Sequence, residues 1–373
     1  MIALRQTLAL GIAVVALIAG ASPAVAFVPN EPGPYRVNDP KTWSNQQLAE
    51  QTIFMCAALD NLPSMRGAVR RGIGGIALLG GATPPHLHSV ISALVAQAPG
   101  GVAPIIASDE EGGDVQRLDQ AIYPLPSAAK MGTWSTTKLT ATAQDYGTRM
   151  RELGVTMSFA PVADLAIPGH FIAESGRSFS ANPTVAARSV IAWAAGLRAA
   201  GIAPVLKHWP GHGRALDTHT SAAVIPKLST LKKSDLIPFE RAFTQGFHAV
   251  MVGHLAVPGF TRRNEPASLS SNALSYLRQQ LGKDGLIMTD SLSMSAATTL
   301  THGSVPQAAV RSLRAGADIA LTCGGTAGLE AAVTRAIGNG TLSRVGMEEK
   351  VQRILAYKRS LGLVIRPGMT ASP

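Results

Sequence analysis

The chain has 373 residues, 46% of them hydrophobic and only 5% aromatic, with a formal net charge of +10. That length allows one large core or two small ones, and the shortage of rings argues against an aromatic binding platform. The charge favours anionic partners, yet Arg70-Arg71, Lys232-Lys233 and Arg262-Arg263 are far apart and no basic-aromatic motif joins them, which argues against nucleic acid.

Residues 1–26 read as a signal peptide. Arg5 precedes an apolar run from Leu8 to Ala19, and Ala24 and Ala26 supply the small-residue pattern before a cleavage point at Phe27. The run is short for a membrane span of about 20 residues. The expected location is therefore secreted, or periplasmic at the cell envelope, with no stable membrane insertion after cleavage. For such a chain the available polyanion is the envelope, although a generally solvated basic surface accounts for the charge equally well. Residues 27–44, rich in Pro, Asn and Gly, read as an irregular segment.

From 45 to 362 one domain is expected, followed by a tail at 363–373. Helices are expected over 43–59, 85–98, 135–153, 183–200, 234–245, 272–281, 306–315, 327–337 and 347–361. Short apolar strands are expected between them over 73–79, 103–107, 156–161, 202–206, 249–255, 286–288 and 318–322. Continuously apolar strands separated by helices imply a parallel sheet covered on both faces. The rhythm points to an α/β fold, a (β/α)₈ TIM-type barrel with one strand irregular or unread; a doubly wound open sheet is the alternative. Cys56 and Cys323 could form a disulfide in an oxidising compartment, or remain separate buried thiols. Their spacing does not decide between these.

In a barrel, chemistry gathers at the C-terminal ends of the strands. Here those ends carry Ser108-Asp109-Glu110-Glu111-Gly112-Gly113 with Arg117, then Asp164 with Arg177 beyond it, then the loop Lys207-His208-Trp209-Pro210-Gly211-His212-Gly213 with Asp217-Thr218-His219, then His254, and finally Thr289-Asp290-Ser291. Asp217 can hydrogen-bond one ring nitrogen of His219 and leave the other for proton transfer. Asp290, at the tip of an apolar strand, is a candidate nucleophile or, as plain structure, a cap for the segment after it. Paired carboxylates, cations and a His-Asp couple suit glycoside cleavage. No metal or cofactor is expected: HExxH, CxxC, GxGxxG and GxSxG are absent, and His208, His212 and His219 with Asp217 lack a recognised ligand spacing.

The loop from Lys207 to His219 resembles the signature of glycoside hydrolase family 3 β-N-acetylglucosaminidases. Asp109 to Arg117, Gly176-Arg177-Ser178-Phe179-Ser180 and Met288-Thr289-Asp290-Ser291-Leu292 resemble further family motifs in the same order. The resemblance covers about residues 45–362. It implies a barrel and a two-step retaining mechanism on N-acetylglucosamine-containing glycans, with Asp290 as nucleophile and His219, oriented by Asp217, as acid/base. Asp109, Arg117, Arg177, Lys207 and His208 would hold the sugar. Asp114, Trp209 and Asn182 depart from the usual pattern and bear on fine specificity. The single-domain branch is expected, without the second domain of many β-glucosidases in the family. A phosphorylase, a β-glucosidase and an inactive envelope glycan-binding protein are the rival expectations.

Overall fold

The computed structural model describes residues 39–219 and 223–364, so the expected signal peptide lies outside the described residues. Eight strand positions follow in chain order: β1 (Ile53–Ala58), β2 (Gly75–Leu79), β3 (Ile105–Ser108), β4 (Met157–Ser158), β5 in two pieces (Ala203–Pro204 and Leu206–Trp209), β6 (Ala249–Val252), β7 (Leu286–Thr289) and β8 (Ala320–Thr322). One parallel ladder runs β8-β1-β2-β3-β4 and on to the first piece of β5; a second joins the later piece of β5 to β6 and β7. At the two seams the ladders thin to the single parallel bridges Val162↔Lys207 and Met288↔Ile319. The strands thus follow one another in (β/α)₈ order.

Side-chain alternation explains how this ring is filled. Along a strand, residues i and i+2 share a face. One buried cluster takes Phe54, Ala77, Ile105, Ala107, Met157, Phe159, Ala203, Val205, Ala249, Met251, Leu286, Met288, Ile319 and Leu321. These recur every second position on every strand and fill the interior. Their alternates, such as Ile76, Leu78, Ile106, Val250 and Ile287, join the cluster shared with the surrounding helices. Gly75 sits in the inward register, and a Cβ there would lie 2.4 Å from the Phe54 ring; the absent side chain makes room for that ring. The helix Arg344–Ser360 closes the N-terminal end of the ring. Ile354 and Tyr357 reach the inner cluster, and Lys358 donates to Gln51, just ahead of β1, at 2.9 Å.

Two expectations need correction. The helix expected over 43–59 stops early: a capping box at Ser44 and Gln47 starts the helix Asn45–Gln51, and the chain then becomes β1. The run Ile53-Phe54-Met55-Cys56-Ala57-Ala58 has no polar alternation, so periodicity alone does not separate a buried strand from a buried helix. The tail expected from 363 also begins too soon. Leu363 accepts from Ala103 N at 3.0 Å and Val364 bridges Val102. Among the described residues no helix is long and apolar enough to cross a membrane. Cys56 and Cys323 form a disulfide, with their Cα atoms 4.6 Å apart.

Candidate active site

The inward register continues past the apolar core. Two residues beyond Phe54, Ala77, Ala107, Val205, Met288 and Leu321 stand Cys56, Leu79, Asp109, Lys207, Asp290 and Cys323, and all six line one cavity of about 380 Å³. The same alternation that buries the core therefore aims these side chains into the mouth. Arg117, Arg177, His208 and His219 line it as well. Of the residues expected at the site, Asp217 alone stands behind the wall.

The carboxylates after β3 divide by the same alternation. Asp109 and Glu111 face the cavity; Glu110 turns away and accepts from the Tyr146 hydroxyl at 2.7 Å, the Ser108 hydroxyl at 2.5 Å and the Arg117 backbone at 3.3 Å. Burial pushes Glu110 up to about 7 against these bonds. Lys207 Nζ lies 2.5 Å from both Asp109 Oδ1 and Glu111 Oε1. Arg177 grips Glu111 in a two-bond fork, at 2.7 and 2.8 Å. Burial would raise Glu111, but the Lys207 and Arg177 charges outweigh it and hold it at about 2. Burial would likewise discharge Lys207, and Asp109 and Glu111 keep it charged. Arg117 is more loosely held, 3.7 Å from Asp109.

The loop after β5 is pinned from beneath by Asp164. This buried carboxylate accepts from His208 Nδ1 at 2.7 Å and from the backbone N–H groups of His208 and His212 at 3.1 and 2.7 Å. With Nδ1 engaged, Nε2 is the His208 nitrogen open to a ligand. The Lys207–His208 and Trp209–Pro210 peptide bonds are cis. Trp209 points outward into the core, fully buried. A Cβ on Gly213 would lie 2.2 Å from the Leu165 carbonyl oxygen, so the loop packs against backbone that only glycine can approach. His212 Nε2 meets Thr218 Oγ1 at 3.0 Å. Burial and the neighbouring His208 lower His212 to about 4, so it stays neutral. It thereby tethers the segment carrying His219.

His219 is 62% exposed at its side chain, and its Nδ1 lies 2.7 Å from Asp217 Oδ1, which also accepts the His219 backbone N–H at 2.9 Å. Burial would raise Asp217, but the bonds from His219 lower it, so it remains an acceptor. The Ser295 hydroxyl donates to the His219 carbonyl at 2.9 Å, tying this loop to the segment after β7.

Asp290 is half-buried within the mouth. Burial works against its ionisation, yet the His208 and His254 imidazoles, the Ser291 N–H at 2.7 Å and the Lys207 ammonium outweigh it and hold the carboxyl well below its usual range. It caps no helix: the next one, Ser295–Thr298, begins after Met294. Burial lowers His254, and its ring bridges the Ser268 hydroxyl at 2.7 Å and the Ser291 carbonyl at 2.9 Å. A carbonyl only accepts, so Nε2 carries the proton and Nδ1 accepts from Ser268.

The sequence reading left Glu111, Asp164, His212, Thr218, His254 and Ser291 without roles, and the structure makes them the frame around the expected groups. Their signal was position, since all follow strand ends. An ionised carboxylate and a carboxylate-oriented imidazole thus share one cavity with a cluster of hydrogen-bond donors, an arrangement able to attack and protonate a polar substrate.

A family model described as "Glycosyl hydrolase family 3 N terminal domain" matches residues 70–357. The beta-hexosaminidase LpqI of Mycobacterium tuberculosis is 43% identical over 233 residues, covering 60% of this chain and 60% of that protein. A beta-hexosaminidase of Stenotrophomonas maltophilia is 35% identical over 229 residues, covering 59% of this chain and 67% of its own. The solved structure of M. tuberculosis LpqI superposes with a TM-score of 0.76 at 34% identity, covering 84% of this chain and 94% of that one. A glycoside hydrolase family 3 β-N-acetylglucosaminidase from Paenibacillus superposes with a TM-score of 0.79 at 28% identity, covering 88% of this chain and 65% of that one.

Proposed function

The chain belongs to glycosyl hydrolase family 3, and from that premise we propose that it is an exported, retaining exo-β-N-acetylglucosaminidase acting on cell-wall fragments or chitooligosaccharides. The observation that carries the reading is the shared cavity of Asp290, whose carboxyl is held well below its usual range, and His219, held at Nδ1 by Asp217. Names of the relatives support the hexosaminidase class. The Cys56–Cys323 bond supports an oxidising compartment, and hence export.

In this reading Asp290 attacks the anomeric carbon and forms a glycosyl-enzyme. His219, doubly protonated, gives its Nε2 proton to the leaving oxygen while Nδ1–H stays on Asp217. The neutral ring then takes a proton from water, which attacks the same carbon and frees Asp290. A histidine suits both duties because one imidazole nitrogen can give a proton and later take one back while the other stays hydrogen-bonded to its carboxylate. Asp109 accepts from sugar hydroxyls, while Lys207, Arg117, Arg177 and His208 donate to sugar oxygens. The net charge of +10 supports association with an anionic envelope.

The test is turnover of an aryl β-N-acetylglucosaminide against the aryl β-glucoside, with and without phosphate. The N-acetyl substrate should be preferred, and phosphate should not change the product. Asp290→Ala should abolish turnover. His219→Ala should harm natural substrates more than aryl glycosides, whose leaving groups need little protonation. Preference for the glucoside, or substantial activity of Asp290→Ala, overturns the reading.

A further inference from the structure

The Cys56–Cys323 disulfide occupies the same inward layer as Asp290, and both half-cystines line the cavity. It joins the C-terminal ends of β1 and β8, directly past the pairs Phe54↔Leu321 and Met55↔Thr322. The end of β8 in turn supports the segment that carries Asp290. The Cys323 N–H donates to Ser291 Oγ at 3.0 Å, and the Leu292 N–H donates to the Leu321 carbonyl at 2.8 Å. Ser291 then donates its own N–H to Asp290 Oδ1 at 2.7 Å. Below this point, β7 and β8 are joined by the bridge Met288↔Ile319, with the Thr289 N–H on the Ile319 carbonyl at 3.0 Å and the Leu321 N–H on Thr289 Oγ1 at 3.1 Å. Above these bonds, the contact of the Asp290 segment with β8 runs through Ser291 to a strand end that the disulfide fastens to β1.

We propose that the Cys56–Cys323 disulfide is a positioning element for Asp290, acting through the backbone of Cys323 and the side chain of Ser291. The inference rests on the reading of Asp290 as nucleophile. With the sulfurs separated, the end of β8 loses its covalent tie to β1 at the level of the cavity. The Cys323 N–H can then move relative to Ser291, and the Ser291 N–H that sets the direction of the Asp290 carboxylate is held from the His254 side alone rather than from both. A displacement of about 1 Å at a reacting group costs roughly 100-fold in rate. A partial shift should therefore lower kcat about ten- to hundredfold while KM, set by Asp109, Lys207 and the arginines, moves little.

The experiment compares the oxidised protein, its disulfide verified by thiol titration, with the double variant Cys56→Ser/Cys323→Ser on an aryl β-N-acetylglucosaminide. Oxidised protein treated with dithiothreitol provides the same comparison on an already folded chain. The dithiol gives two electrons to the S–S bond, yielding two protein thiols and cyclic oxidised dithiothreitol, and reoxidation should restore the rate. Ser291→Ala, made in both backgrounds, separates positioning from general loosening. If the bond acts through Ser291, breaking it in the Ser291→Ala protein should cost little more, because both changes interrupt one path. Equal kcat for oxidised and reduced protein with unchanged circular dichroism overturns the inference, as do losses that simply add. No turnover by the oxidised protein instead overturns the glycosidase reading and removes the inference with it.

Discussion

Glu111 is the group on which the charge balance of the site depends, and its replacement by glutamine has a calculable cost. The carboxylate is 1% exposed and lies 2.5 Å from Lys207 and 2.7 Å from Arg177, themselves 3% and 12% exposed. Glutamine keeps the shape but leaves two buried cations with Asp109 as their remaining carboxylate. A fall of the Glu111 pKa from 4.5 to about 2 corresponds to about 3 kcal/mol in favour of the folded, charged form. Removing one partner of a buried ion pair costs about 3–5 kcal/mol, so both routes give the same order. The sign with pH follows: the folded pKa lies below the unfolded one, so the contribution is full above about 4.5 and is lost as pH falls toward about 2. Urea unfolding of wild type and Glu111→Gln should therefore differ by about 3 kcal/mol at pH 7, and the gap should narrow below pH 4.5. A gap under about 1 kcal/mol at pH 7, the level of an exposed pair, or one that ignores acidification, would refute the reasoning.

His212 should show a separate acid window. Its folded pKa of about 4 lies below the ordinary 6.5, so its contribution is present above 6.5 and lost as pH falls toward 4. His212→Asn should flatten the loss of stability between pH 7 and 5, measured by urea midpoints; an unchanged slope would count against a buried neutral ring. Gly75→Ala should destabilise by roughly 1–3 kcal/mol through overpacking against Phe54, and Phe54→Leu should recover part of it. Thermal melting of the three proteins decides this, and an alanine variant that melts with wild type would show that the inner layer has slack.

The barrel was legible because its strands are apolar throughout and its helices amphipathic, a rhythm that survives single misreadings. The site was legible for a related reason. Once Val205 and Met288 are read as inward, alternation places Lys207 and Asp290 inward as well. What escaped were groups whose duty is to another side chain. Glu110 and Glu111 are identical neighbours in sequence, and only the facing of the strand end sends one to Tyr146 and the other to Lys207 and Arg177. Asp164 and His212 are separated along the chain and meet through a buried backbone bond of 2.7 Å. No local pattern announces such a contact.

Misreading β1 as helix had a larger consequence than one wrong element. A ring of strands makes the first and last neighbours, so residues 267 apart in sequence can stand side by side. With β1 assigned to Ile53–Ala58, inward alternation from Phe54 reaches Cys56, and from Leu321 it reaches Cys323. Closure then places two half-cystines in adjacent strands at equal height, and the disulfide follows without any appeal to spacing. The same closure brings that bond into the cavity that Asp290 enters from the end of β7. Chain topology, rather than any motif, thus makes a covalent link between the two ends of the barrel a part of its mouth.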